Sequence, residues 1–194
     1  MRQTKILFNS RFFRSYWIKF ILFPILLYLS IFIIYTYPAI LNFNTHFFAD
    51  DFDGLQNAWN IWWVNFSVTK LHALPWFTDF IFYPSGTSLL GHTLNPFNGF
   101  IAIPLLKFLT IIQVYNLIVI FSFVAAGIFT FYYAFYLSKS YFGSLLAGAI
   151  FTFSSFHFSH AEGHMQLVSV EWLPLFFYSW HLFLKKLSLR FAFF

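Results

Sequence analysis

From Tyr115 to Leu137 the chain carries no charged residue. A helix of that length and apolarity matches the hydrocarbon core of a bilayer, which takes roughly 20 residues to cross. Three further stretches read the same way: residues 17–40, 142–158 and 167–184. The first has Tyr16 and Trp17 at one interface and Tyr35 and Tyr37 at the other, and Pro24 is placed to kink it. The third carries Gly143, Ala147, Gly148 and Ala149, small residues that let a neighbouring helix approach closely. Charged residues make up 9% of the chain, against about 25% in soluble globular domains. The expectation is an all-α membrane protein with about four transmembrane helices, forming a single transmembrane module over residues 1–194.

The amino-terminal apolar stretch has the basic flank of a signal peptide. It is too long for one, and no small-residue cleavage site follows, so a retained signal anchor is expected. A fifth stretch, residues 96–112, carries Pro96, Gly99, Pro104 and Lys107 and reads as a re-entrant or short membrane helix. That choice puts Arg2, Lys5, Arg11, Arg14, Lys19, Lys139, Lys185, Lys186 and Arg190 on the cytoplasmic side. Asp50, Asp51, Asp53, Asp79 and Glu162 then lie outside together, as the positive-inside tendency requires. The expected location is the cell inner (plasma) membrane, multi-pass, with a cytoplasmic amino terminus. The basic residues abut apolar runs, so they set orientation and do not indicate a nucleic-acid partner. The chain has no Cys, which excludes disulfides and thiolate metal sites.

Residues 41–98 form a long external segment. Within it Leu55, Trp59, Trp62 and Phe66 recur at helical spacing, with Asp53 placed as an N-cap. A Trp-rich amphipathic helix suits the membrane interface, and an ordinary aromatic belt gives the same pattern. "FYPSGTSL", Phe82 to Leu89, reads as a turn.

Two clusters could carry chemistry. Asp50, Asp51 and Asp53 stand within four positions just after a span, at the height of a lipid phosphate. Crowded carboxylates suit a divalent cation or a general base with a raised pKa; they also suit a solvated acidic loop. His157, His160, Glu162 and His164 fall on one short loop. Imidazole with carboxylate can bind Zn or Mn, shuttle protons or contact a substrate phosphate or sugar; a loop at headgroup level is the plainer reading. The candidate catalytic residues are therefore Asp50, Asp53 and Asp51, and the candidate substrate-binding residues are His157, His160, Glu162 and His164. Asp50 and Glu162 are the candidate ligands of a divalent metal (Mg or Mn). Glu171 is an ionisable group inside a span, facing the bundle interior or the outer interface. His181 falls near the inner end and fits the aromatic belt. His46, His72 and His92 have no partner legible in the sequence.

The order of "ADDFDGLQNAWNIWW" (Ala49 to Trp63), "IFYPSGTSLLGHTLNPFNG" (Ile81 to Gly99), "VYNL" (Val114 to Leu117), "LLAGAIFTFSSFHFSHAEGH" (Leu145 to His164) and "WLPL" (Trp172 to Leu175) resembles the amino-terminal module of bacterial GT-C superfamily membrane glycosyltransferases. The resemblance covers most of the chain after the first span, and related uncharacterised polytopic membrane proteins share it. It implies a polyprenyl-phosphate-linked sugar donor and interfacial helices in the first external loop. It also implies an essential acid there, at Asp50 or Asp53 with Asp51 as the third option. Glu162 holds the place of the acidic motif of the second loop. Members of that superfamily are longer, so a truncated frame or an amino-terminal fragment is expected. The alternative reading is a non-catalytic polytopic membrane protein or a transporter or flippase-like fragment. The sequence names no protein partner.

Overall fold

The computed structural model describes residues 15–187. Arg2, Lys5, Arg11, Arg14 and Arg190, part of the expected charge asymmetry, lie outside them.

The chain is a helical membrane protein. Helix α1, Ser15–Thr36, is continuous but π-helical over Ile18–Leu22. Pro24 explains the irregularity. It has no N–H to give the carbonyl four residues back and its ring crowds that carbonyl. The carbonyl in question, Phe20 O, instead accepts the hydroxyl of Tyr132 at 2.7 Å, and Lys19 O accepts that of Tyr141 at 2.6 Å. The span ends at Thr36, short of residue 40.

The segment after α1 then folds back on the bundle. Helix α2, Asp53–Thr69, is followed by a two-stranded antiparallel ladder, β1 (Phe77–Thr78) and β2 (Thr87–Ser88), in the register Phe77↔Ser88 and Thr78↔Thr87. The turn expected at Phe82 to Leu89 joins these strands, and Gly86 supplies a left-handed residue in it. Helix α3, Pro96–Leu105, starts at a side-chain cap from Asn95. At 1.5 Å per residue its ten residues span about 15 Å, half of a hydrocarbon core and too short to cross one.

Helix α4, Ile111–Ser138, is the central span. It begins four residues before Tyr115 because Thr110 and Gln113 form a reciprocal capping box. Helices α5 (Tyr141–Thr152) and α6 (Ser155–Ala161) follow, bent by 42° where Ser154 caps the second. Helices α7 (Met165–Val168) and α8 (Trp172–Lys186) are the last in the described residues. Among the described residues three helices are long and apolar enough to cross a membrane, or four if the bent pair is one span.

Packing of α1, α4 and α5 depends on Tyr28. Its side chain is fully buried and its hydroxyl donates to Leu145 O at 3.1 Å. A Cβ on Gly148 would fall on that hydroxyl, and one on Gly127 would meet the ring at 2.6 Å. The small residues read from the third span therefore act as a slot for an aromatic side chain. Facing outward, Ile34, Leu146 and Ile150 are each more than 60% exposed, a surface that only lipid makes favourable.

Candidate functional site

The two acid-bearing loops, far apart in sequence, meet at one end of the bundle. The first is held by α4. Asn116 is fully buried, its amide donates to Phe43 O (2.9 Å) and His46 O (2.8 Å), and its carbonyl accepts Phe48 N–H at 2.8 Å. All of its lone-pair and donor needs toward this loop are met by backbone, so the loop follows α4. The second loop is held by Asn57 of α2, whose amide donates to Gly163 O at 2.6 Å and to Asp53 O at 2.8 Å. Between them Asp50 N–H donates to Glu162 O.

Asp50, and not Asp53, caps helix α2. Asp50 Oδ1 accepts Gly54 N–H at 2.9 Å and Phe52 N–H at 3.0 Å, and Asp53 is the first helical residue with no capping bond. The reason is reach: a carboxylate three residues before the helix folds back over the free amides, whereas Asp53 already has helical backbone. These amides, Gly54 first, hold the Asp50 carboxyl below its ordinary value near 3.8, and the nearby His164 adds to the effect. A raised pKa, one of the expectations for the acid trio, does not hold at Asp50.

Asp53 is left free for other contacts. Its Oδ2 lies 3.4 Å from His164 Nε2, and His164 Nδ1 lies 3.4 Å from His160 Nδ1. Asp53, His164 and His160 form a carboxylate–imidazole–imidazole row, partly open to solvent. Gly163 makes the row possible. A Cβ there would stand 2.7 Å from Asp50 Oδ2 and 3.0 Å from Asp53 Cβ. Asp51 and Glu162 are exposed, and Glu162 shares with Asp50 and His46 the polar border of a cavity of about 630 Å³. The rest of that cavity is mostly apolar, with Phe32, Tyr35, Val119, Phe123 and Phe158 in its wall beside Thr36 and Asn42.

His157 stands apart from the other histidines. It is fully buried, stacked on Phe123 at 3.8 Å, with Nδ1 2.8 Å from Thr152 O and Nε2 2.9 Å from Val168 O. Ser122 of α4 reaches both Val168 O and Glu171 Oε2. Glu171 is 1% exposed, which places it in the bundle interior and not at the outer interface. His157 therefore joins Ser122 and Glu171 in a polar network that fastens α6, α7 and α8 to α4. Ser122 links the two, lying 3.5 Å from His157 Nε2 and hydrogen-bonded to Glu171. Residues three apart on α6 would share a face, so spacing alone does not separate His157 from His160; His157 is drawn inward by Thr152 O and Val168 O, carbonyls at helix ends.

Helix α2 carries the stripe Leu55, Trp59, Trp62 and Phe66 on its more open side: Leu55 is 48% exposed and the three aromatic rings are half-buried. The buried face is Asn57, Asn60, Ile61, Val64 and Ser67. Trp59 stacks on Trp63 and Trp62 on Phe66, which builds an aromatic ledge beside the acid loop. Sequence reading missed Asn57, Asn116, Ser122 and Gly163. The one available signal was polar residues recurring inside apolar or aromatic helices, where each buried amide or hydroxyl requires a partner.

Among the described residues no three His, Asp or Glu side chains converge as a protein-only metal cage would need. Asp50 and Glu162 together offer two carboxylates, a donor set that suits a magnesium-like ion taking its remaining oxygens from phosphate and water. No family model, no curated protein and no solved structure matches the chain.

Proposed function

We propose that the chain is a membrane glycosyltransferase-like protein that transfers a sugar from a lipid-phosphate donor at the face carrying Asp50, Asp53 and Glu162. The observation that carries this reading is the Asp53–His164–His160 row, set beside an apolar cavity bordered by Asp50 and Glu162. A lipid-linked donor needs such a pairing of an apolar channel with polar chemistry at headgroup height. Asp53 or the imidazole row takes the proton from an acceptor hydroxyl. The acceptor oxygen then bonds to the anomeric carbon, the bond from that carbon to the phosphate oxygen breaks, and the lipid phosphate leaves with the electron pair. Asp50 is the weaker base of the two acids, because its carboxyl is already stabilised by backbone amides. Its role is to fix the loop and border the donor phosphate. A divalent ion held by Asp50 and Glu162 would neutralise charge on the leaving phosphate.

The test is transfer from a labelled polyprenyl-phosphate sugar by the purified full chain in lipid, with Asp53→Asn as the control. Loss of transfer in the variant with retained donor binding supports the proposal. Equal transfer by both proteins removes Asp53 from the chemistry, and failure to bind any donor removes the reading.

A second reading, translocation without covalent chemistry, is favoured by the buried Ser122, His157 and Glu171, since ionisable groups inside membrane bundles often mark a transport path. It predicts flux across a proteoliposome membrane that Glu171→Gln abolishes while Asp53→Asn leaves it intact.

A further inference from the structure

The opposite end of the bundle holds a second cleft, remote from the acid loops. Three helices bring basic side chains there. Lys139 follows the last turn of α4, Lys185 lies in the last turn of α8, and Lys19 of α1 stands 4.6 Å over the ring of Tyr141. Lys139 and Lys185 flank a single ring, with their ammonium groups 4.9 and 5.6 Å from the centre of Tyr136. His181 meets the same ring edge-on at 5.2 Å.

Among the described residues no Asp or Glu forms a salt bridge with these lysines. The six acids of the chain are Asp50, Asp51, Asp53, Asp79, Glu162 and Glu171. Those of the two loops lie at the far end, and Glu171 precedes the first turn of α8 while Lys185 is in its last. The hydroxyl of Tyr136 is buried and finds no hydrogen-bond partner among the described residues. The cleft beside it, about 370 Å³, has His181 and Lys185 on one side and Phe177, Trp180 and Leu184 on the other. These three apolar side chains are each about half exposed.

Clustered cations, a donor without an acceptor and an outward apolar wall together describe the complement of one kind of molecule: an anion attached to a hydrocarbon chain. We propose that this cleft binds an anionic phospholipid, its phosphate between Lys139 and Lys185 and its acyl chain along Phe177, Trp180 and Leu184. Lysines near an anionic membrane surface contribute about fivefold each to binding. A free phosphate would use the lysines and gain nothing from the apolar wall.

The experiment uses the full chain in mixed micelles, with lipid retention read by native mass spectrometry. The probes are phosphatidylglycerol, phosphatidylcholine and inorganic phosphate. The expected result is at least a tenfold preference for phosphatidylglycerol over phosphatidylcholine. It should fall about 25-fold in retention for the Lys139→Gln/Lys185→Gln double variant, with helical circular dichroism unchanged. A second variant, Leu184→Asn, should weaken phosphatidylglycerol retention with both lysines present. Equal retention of the two lipids, or a preference indifferent to the lysines, would reduce the cluster to lysines reaching for water and overturn the proposal. Displacement of the lipid by millimolar inorganic phosphate would also overturn it, in favour of a free-phosphate site.

Discussion

His164 Nε2 lies 3.4 Å from Asp53 Oδ2, a contact between the two acid-bearing loops with both side chains about half exposed. An exposed ion pair of this length contributes at most about 1 kcal/mol to stability. Replacing either partner should therefore leave the melting temperature nearly unchanged. If the pair acts on a substrate proton, Asp53→Asn and His164→Ala should each slow transfer roughly a hundredfold to ten-thousandfold. Parallel thermal-shift and transfer measurements separate the two effects; a fall in melting temperature matching the fall in transfer would make the pair structural.

Gly163→Ala should be more damaging to the fold than either of those changes. The added methyl would press on Asp50 Oδ2 at 2.7 Å and Asp53 Cβ at 3.0 Å, and the contact between the loops leaves little room to yield. Overpacking of this kind costs about 1–3 kcal/mol. A cysteine pair at Asp51 and Glu162, on the two loops that meet here, gives a direct readout. Its cross-linking should be efficient in an otherwise unchanged chain and impaired by Gly163→Ala. Undiminished cross-linking would mean the loops are not in the contact described.

The Asp50 cap predicts a specific acid response. Its carboxyl is held below its ordinary value near 3.8 by the Gly54 and Phe52 amides. Such a group contributes stability that is present above its unfolded pKa and is lost as pH falls through its folded one. The stability difference between the unaltered chain and Asp50→Asn should be constant from pH 5 to 7 and shrink only below about pH 4. A difference that varied between pH 5 and 7 would assign the titration to another group.

Ser122, His157 and Glu171 should couple far more strongly than Asp53 and His164, because His157 and Glu171 are almost wholly removed from solvent. Leaving a buried polar group without its hydrogen-bond partner costs about 1–3 kcal/mol. In a double-mutant cycle with His157→Gln and Glu171→Gln, which share Ser122, the coupling should exceed about 0.5 kcal/mol. Additive losses would show that Ser122 does not join the two groups.

The membrane class and the approximate positions of the spans were legible in the sequence, because crossing hydrocarbon imposes a length and an apolarity that local composition records directly. Tyr115 to Leu137 lies wholly inside α4 for that reason, and Asp53 opens a helix of the expected character. What composition could not supply was which way a side chain turns. The aromatic stripe of α2 and its asparagine face share one helical period, and only packing against α3 and the second loop decided that the asparagines go inward. The Asp53–His164 contact and the withdrawal of His157 into the core depend on a partner more than one helix away or on a helix end freed by a bend. Such pairings leave no mark on the intervening residues, so tertiary structure alone decided them.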